Sequence, residues 1–229
     1  MTTLIGIESA KKKGKRGIVL ASDLRGTKTN WKPSGDVAYR EQRAVDNQKI
    51  HINDNETLAF CMSGISDEYW RDFSQKLRLG KIKVGKALRE GYFPELKTLN
   101  EFRWGGRVPD TSLFNAILIA SRMRGSEGLY TCYPLGKVEQ RAWTSIGSGS
   151  DYALEHIAKK SDNIPYYTSS EEALELAVES LDKASQDLHT GGLDIAFISK
   201  ERIISFGNLI KEELDKAKER SLKRMKDSL

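Results

Sequence analysis

The sequence is poor in the residue types that mark several common kinds of protein. Its 229 residues include only two cysteines and three histidines. Cys61 and Cys132 lie in apolar, strand-like runs, LAFCMSG and LYTCYPLG, which favours reduced core thiols over a disulfide. The start has no secretory hydrophobic region, and no apolar run approaches the length that spans a membrane. We therefore expect a cytoplasmic protein.

Charge is plentiful but nearly balanced. The chain carries 37 basic and 32 acidic residues, a net charge of +5. Most of the excess lies in the run KKKGKR at residues 11–16, between two apolar strand patterns. Because no aromatic residues alternate with these cations, the run indicates a solvated hairpin tip and not a nucleic-acid surface. We expect neither nucleic acid nor a membrane as a partner.

Alternating apolar residues separated by short turns predict pairs of antiparallel strands. The paired segments are TTLIGIES with RGIVLASDLRG, QKIHIND with TLAFCMSG, TSLFNAILIASRM with GLYTCYPLG, and GGLDIAFIS with RIISFGNL. KVEQRAWTSIGSGS predicts one further strand. The polar stretch TKTNWKPSGDVAYREQRAVDN, which contains Pro33 and Gly35, predicts a loop.

Two pairs of helices are predicted between the strands. The first helix has Ser66 as its expected N-cap and Gly80 as its stop. Pro94 interrupts the next helical segment. A later pair comprises DYALEHIAKKS and a long segment capped by Ser169 or Ser170.

This order of elements predicts an α/β (α+β) fold, a four-layer αββα sandwich of two antiparallel sheets flanked by helices. No repeat, linker or low-complexity block divides the chain. We therefore predict one domain over residues 1–229, with a charged C-terminal helix at about 210–229.

Common catalytic patterns are weak. No histidine lies in a nucleophile-elbow pattern, and no histidine or cysteine pair has metal-ligand spacing. The glycine-serine run at residues 147–150 lacks the lysine of a phosphate-binding loop. We expect no metal and no cofactor.

The N-terminus offers another nucleophile. Removal of Met1 would leave Thr2 with a free α-amine and a hydroxyl group on one residue. Because an α-amine has a pKa of about 8, it can act as a base near neutral pH. Thr2 could then supply both nucleophile and base. This activation would need only methionine removal and no self-cleavage.

Several motifs, in order, resemble the proteasome β-type family of N-terminal-nucleophile (Ntn) hydrolases. They are the opening Thr2-Thr3, SDLRGTKTNW, FCMSGISD, IGSGSDYALEHI and DLHTGGLDIAFISKERI. The resemblance covers most of the chain, but residues 81–110 match no motif. It implies the Ntn-hydrolase fold and a threonine endopeptidase activity.

The resemblance implies a role for each matching residue. Thr2 would be the nucleophile, and Asp23 would orient and charge-pair a catalytic lysine. That lysine would be Lys49, or alternatively Lys32, because the segment before Lys49 is longer than is usual in the family. The N–H group of Gly64 would bind the oxyanion.

Further residues would complete the site. The network around the amine would comprise Ser148, Asp187 and Thr190. Substrate binding would involve Gly26, Thr27 and Met62. Because Met62 would lie at the base of the primary pocket, we expect cleavage after hydrophobic residues.

The implied partners are unfolded polypeptide or peptide substrates, a homo-oligomeric ring, an α-type ring and an ATP-dependent unfoldase. Two alternatives remain open. One is an Ntn amidase or peptide ligase that acts outside a degradation chamber. The other is a non-catalytic ring subunit.

Overall fold

The computed structural model describes residues 2–9, 17–34, 37–46, 49–64, 66–104, 115–160, 169–187 and 192–209. The described strands form two five-stranded antiparallel sheets and a separate hairpin. In spatial order, sheet 1 consists of β10 (Trp143–Gly147), β1 (Thr3–Ser9), β2 (Gly17–Ser22), β11 (Leu193–Ser199) and β12 (Ile203–Leu209). Sheet 2 consists of β5 (Ile50–Ile52), β6 (Leu58–Ser63), β7 (Ala116–Ser121), β8 (Gly128–Cys132) and β9 (Val138–Arg141).

Helices cover the outer faces of both sheets. The described helices are α1 (Glu68–Arg78), α2 (Val84–Glu90), α3 (Pro94–Trp104), α4 (Ser150–Lys160) and α5 (Ser170–Ala184). Side chains of α1, α2 and α3 share an apolar cluster with sheet 2, and those of α4 and α5 share one with sheet 1. None of the helices within the described ranges is long and apolar enough to cross a membrane.

A third apolar cluster fills the space between the sheets, and strand alternation explains why. Successive side chains of a strand point to opposite faces. In β11, Ile195 and Phe197 therefore meet the helices, whereas Ala196 and Ile198 face sheet 2. We call this third group the inter-sheet cluster: Leu4, Ile18, Leu20, Ile50, Ala59, Cys61, Leu118, Ala120, Leu129, Ala196, Ile198 and Ile203.

The three clusters define the order helices, sheet 1, sheet 2, helices. This order confirms the predicted αββα sandwich. The sheets approach closely at Gly6, where an added Cβ would lie 2.6 Å from Leu129 Cδ1 of sheet 2. A glycine at this position of β1 therefore permits the observed sheet-to-sheet contact.

Two local predictions were wrong. The polar stretch predicted as a loop forms the hairpin of β3 (Arg25–Ser34) and β4 (Val37–Asp46). These strands pair only with each other in the described structure. Their sequences lack the regular apolar alternation that predicts a core-facing strand. The predicted single strand KVEQRAWTSIGSGS is divided between β9 of sheet 2 and β10 of sheet 1. The second predicted helical segment is divided at Pro94, as expected, into α2 and α3.

Helix ends follow ordinary capping chemistry, with one correction. Asp67, and not Ser66, caps α1, since its carboxylate accepts the Trp70 N–H at 2.9 Å. Pro94 takes the first position of α3, where its missing N–H costs no intrahelical bond. Ser169 caps α5 in a capping box with Glu172.

Candidate active site

Strand pairing brings the N-terminal threonines to Asp23. Because β1 and β2 are antiparallel, the start of β1 lies beside the end of β2, with Leu4 opposite Ser22. The Thr3 N–H donates to Asp23 Oδ1 at 2.7 Å, and the Asp23 N–H donates to the Thr3 carbonyl at 3.1 Å. This reciprocal pair fixes Asp23 one residue from Thr2.

Lys49 reaches the same carboxylate from the other sheet. Its Nζ donates to Asp23 Oδ2 at 3.0 Å, and the two side chains are 10% and 0% exposed. Burial raises the pKa of Asp23 to about 6, opposed by the Lys49 charge and by the Thr3 N–H. At neutral pH the pair is therefore a buried, charge-assisted hydrogen bond. The side chain of Lys32, the alternative lysine in β3, lies outside the described part of the structure.

The turn after β10 holds Thr2 from the opposite side. The Ser148 N–H donates to the Thr2 carbonyl at 3.0 Å, and the Gly149 N–H donates to Thr3 Oγ1 at 3.0 Å. Gly147 has φ +111°, and an added Cβ would lie 1.6 Å from the Thr2 carbonyl oxygen. A residue with a side chain at position 147 would thus displace Thr2. Within the described ranges, the buried Ser148 hydroxyl has no hydrogen-bond partner.

The end of β6 adjoins the same turn. A Cβ on Gly147 would lie 3.2 Å from Ser63 Oγ as well as beside Thr2, so these segments converge. Gly64 follows directly, exposed and with φ +129°. Met62 belongs to the apolar cluster between sheet 2 and its helices.

Other predicted residues are only partly described. Asp187 is half-buried just beyond α5, and its N–H donates to the Ala184 carbonyl at 3.0 Å. That carbonyl would lie 2.8 Å from a Cβ on Gly149, which places the end of α5 next to the turn after β10. Thr190 lies outside the described residues. Gly26 and Thr27 lie in β3, and the structure describes only the backbone of this strand.

Asp194 is a site residue that the sequence interpretation missed. Its side chain is fully buried on the inter-sheet face of β11. Asp194 Oδ2 accepts the backbone N–H groups of Lys49 at 3.2 Å and Ile50 at 3.1 Å. The available signal was an acidic residue in the apolar strand LDIAFIS, because a buried carboxylate needs specific partners. We use the name polar corner for Thr2, Thr3, Asp23, Lys49 and Asp194.

The polar corner brings three charged side chains together at the start of β1. A buried ammonium group and two buried carboxylates surround the first residues of β1. Across the described side chains, no group of three or more histidine, cysteine, aspartate and glutamate residues could hold a metal ion.

The layer order agrees with one class of protein fold. Two facing antiparallel sheets between helical layers, with Thr3 at the start of β1, are consistent with the Ntn-hydrolase fold. Residues 110–198 match the family model for proteasome subunits. This match, which extends from the segment before β7 into β11, supports a proteasome-type subunit. No curated protein matches the chain.

The matched segment contains Ser148, Asp187 and Asp194, but it excludes Thr2, Asp23 and Lys49. The match therefore does not include the residues of the polar corner at the start of β1.

Proposed function

We propose that the protein is a threonine endopeptidase of the proteasome β class, with Thr2 as its nucleophile. The observation that carries this proposal is the buried Lys49–Asp23 pair, in which Asp23 accepts the Thr3 N–H next to Thr2. Burial of two charges is costly unless they have specific partners. Their position beside the first residue of β1 gives a chemical reason for that cost.

In the proposed reaction, Thr2 must first be freed from the residue before it. The Thr2 hydroxyl oxygen then attacks the peptide carbonyl carbon while the α-amine takes the hydroxyl proton. The Lys49 ammonium favours the charged oxygen of the nucleophile, and Asp23 keeps that ammonium in place. The amine returns the proton to the departing peptide amine, and water hydrolyses the resulting ester.

Gly64 is the proposed oxyanion donor. It immediately follows the end of β6, which meets the Thr2 backbone at Gly147. A backbone N–H placed at the developing negative charge contributes about 100- to 1000-fold in rate. We assign Ser148, Asp187 and Thr190 to the network around the α-amine. The Ser148 hydroxyl is buried and has no hydrogen-bond partner among the described residues, which supports its part in this assignment.

Substrate recognition is assigned to Gly26, Thr27 and Met62. The apolar surroundings of Met62 support a preference for hydrophobic residues before the cleaved bond. We further propose that the chain works in a homo-oligomeric ring beside an α-type ring and an ATP-dependent unfoldase. The two free, buried cysteines fit the expected cytoplasmic location.

The test is hydrolysis of capped fluorogenic peptides that end in leucine, tyrosine or arginine. We expect activity on the leucine and tyrosine substrates, near-complete loss in Thr2→Ala, and retention in Thr2→Ser, which keeps a hydroxyl. Light scattering on the same samples should show a ring-sized particle. Full activity in Thr2→Ala would contradict the proposed chemistry, whereas an inactive ring would indicate a non-catalytic subunit.

A further inference from the structure

We propose that Asp194 is a positioning residue for Lys49: it holds the main chain at the start of β5 so that the ammonium meets Asp23. The inference rests on the proposed function for its catalytic consequence, but its structural claim can be tested separately. It begins from the two hydrogen bonds that Asp194 Oδ2 accepts from the Lys49 and Ile50 N–H groups.

Asp194 joins the two sheets at the point where Lys49 needs support. Asp194 belongs to β11 of sheet 1, whereas Lys49 immediately precedes β5 of sheet 2. β5 has only three residues and is the first strand of sheet 2, paired with β6. Lys49 lies before the first paired residue, Ile50. Asp194 therefore gives the start of β5 hydrogen bonds that strand pairing with β6 does not supply.

The two buried carboxylates bind different parts of Lys49. Asp23 follows Ser22, and Ser22 lies directly opposite Asp194 in the pairing of β2 with β11. Asp23 holds the Lys49 side chain, and Asp194 holds its backbone. A lysine side chain has four flexible carbon–carbon bonds and about 2 kcal/mol of rotamer entropy. A fixed backbone is therefore needed to keep the ammonium group in one place.

The action of Asp194 is geometric and does not depend on its charge. Burial raises the pKa of Asp194, while the N–H groups of Ile50 and Lys49 and the Lys49 charge oppose that rise. Its Oδ1 has no hydrogen-bond partner within the described ranges. The titratable groups of the described structure around it are Asp23, Lys49 and Cys61, whose thiol has a pKa raised by burial and by Asp194. A neutral side chain of the same shape should therefore replace it.

The experiment compares Asp194→Ala with Asp194→Asn in the full-length protein. Alanine removes the acceptor, whereas asparagine keeps one oxygen for the two N–H groups. We expect Asp194→Ala to lower kcat about 10- to 100-fold with KM changed less than about twofold, since small misplacements of catalytic groups have effects of this size. Asp194→Asn should remain within about threefold of the wild-type kcat.

Ile198→Ala is the matched control. Ile198 lies on the same face of β11 in the inter-sheet cluster, and its aliphatic side chain cannot form a hydrogen bond with either carboxylate. This variant should lose stability but keep the kcat of its folded fraction. An equal loss of kcat in Ile198→Ala and Asp194→Ala would overturn the positioning role, as would equal losses in the alanine and asparagine variants.

Crystal structures provide the readout that does not need activity. In Asp194→Ala the distance from Lys49 Nζ to Asp23 Oδ2 should exceed 4 Å in about half or more of the copies, whereas Asp194→Asn should keep it near 3.0 Å. An unchanged contact in Asp194→Ala would overturn the inference. A Thr2→Ala variant that keeps activity would overturn the proposed function instead, and the distance would still decide the role of Asp194.

If the alanine variant does not fold, amide hydrogen exchange of the wild-type protein tests the same hydrogen bonds. The Lys49 and Ile50 amides should exchange slowly, with Ile50 comparable to paired amides of β6. Rapid exchange at both amides would contradict the proposed clamp.

Discussion

The space between the two sheets has an apolar region and a polar end, and the two contribute differently to the molecule. The inter-sheet cluster is formed by aliphatic and other apolar side chains, including the fully buried Leu118. At the polar corner, Asp23, Lys49 and Asp194 occupy a similarly buried position. Apolar burial stabilises the fold. Buried ion pairs often stabilise less than apolar residues of similar volume. The comparison therefore separates residues that hold the sheets together from residues that serve the site.

The largest expected effect comes from removing the buried charges. Asp23→Asn combined with Lys49→Met should lower kcat about 10²- to 10⁴-fold, the range of acid–base contributions. The free energy of unfolding should stay within about 1 kcal/mol of wild type or rise, because both members of the ion pair are replaced together. Peptidase kinetics and urea unfolding measure the two quantities. The exposed Lys76–Asp72 pair is the control, and Lys76→Met should change neither quantity appreciably.

The opposite result is expected in the apolar region. Leu118→Ala should lower the free energy of unfolding by about 2–5 kcal/mol through lost burial and a cavity. Below the unfolding transition, its kcat per folded molecule should match wild type. Urea unfolding and active-site titration measure these values. A large fall in kcat of Leu118→Ala with unchanged stability would contradict the proposed difference between the two regions.

Two glycines allow the same test of the site against the rest of the fold at the level of the backbone. Gly147 and Gly80 both have positive φ, +111° and +65°, but only Gly147 would place a Cβ against Thr2. Gly147→Ala should lower the free energy of unfolding by about 3 kcal/mol or more and abolish measurable peptidase activity, because backbone strain and the clash with Thr2 act together. In Gly80→Ala no atom lies within 4 Å of the added Cβ. This variant should lower the free energy of unfolding by about 1 kcal/mol and leave activity unchanged. Thermal unfolding and peptide hydrolysis distinguish the two.

The smallest effect is a change in the slope of the pH profile. The α-amine of Thr2, with an ordinary pKa of about 8, must be neutral to accept a proton. Asp23, with a pKa raised to about 6, must be ionised to hold Lys49. As pH falls, log kcat should therefore decline with a slope of one and then of two below about pH 6. In Asp23→Asn the second bend should disappear, and its persistence would assign it to another group.

Much of the fold could be predicted because buried strands carry a visible pattern. In β6 and β7, the alternation of residues such as Phe60 with Cys61 and Ile117 with Leu118 separates the two faces of sheet 2. The hairpin of β3 and β4 lacks that signal because its few apolar residues do not alternate regularly with its polar ones. The choice of Asp67 over Ser66 as a cap also escaped prediction, since both residue types are good caps.

The candidate site was predictable only in part. Lys49 contacts Asp23 in the structure despite the unusual length of the segment between them, whereas the catalytic roles of both residues stay a prediction. Asp194 could not be assigned from the motif alone, since its partners are backbone groups on another sheet. Such contacts depend on tertiary structure and leave no spacing in the sequence.

The most direct test of the central claim is mass spectrometry of the purified protein after reaction with a β-lactone, which acylates an activated hydroxyl group. The account predicts a chain that begins at Thr2 and carries one adduct on that residue, with the adduct lost in Lys49→Ala. A chain that retains Met1, or an adduct on another residue with Thr2 unmodified, would contradict it.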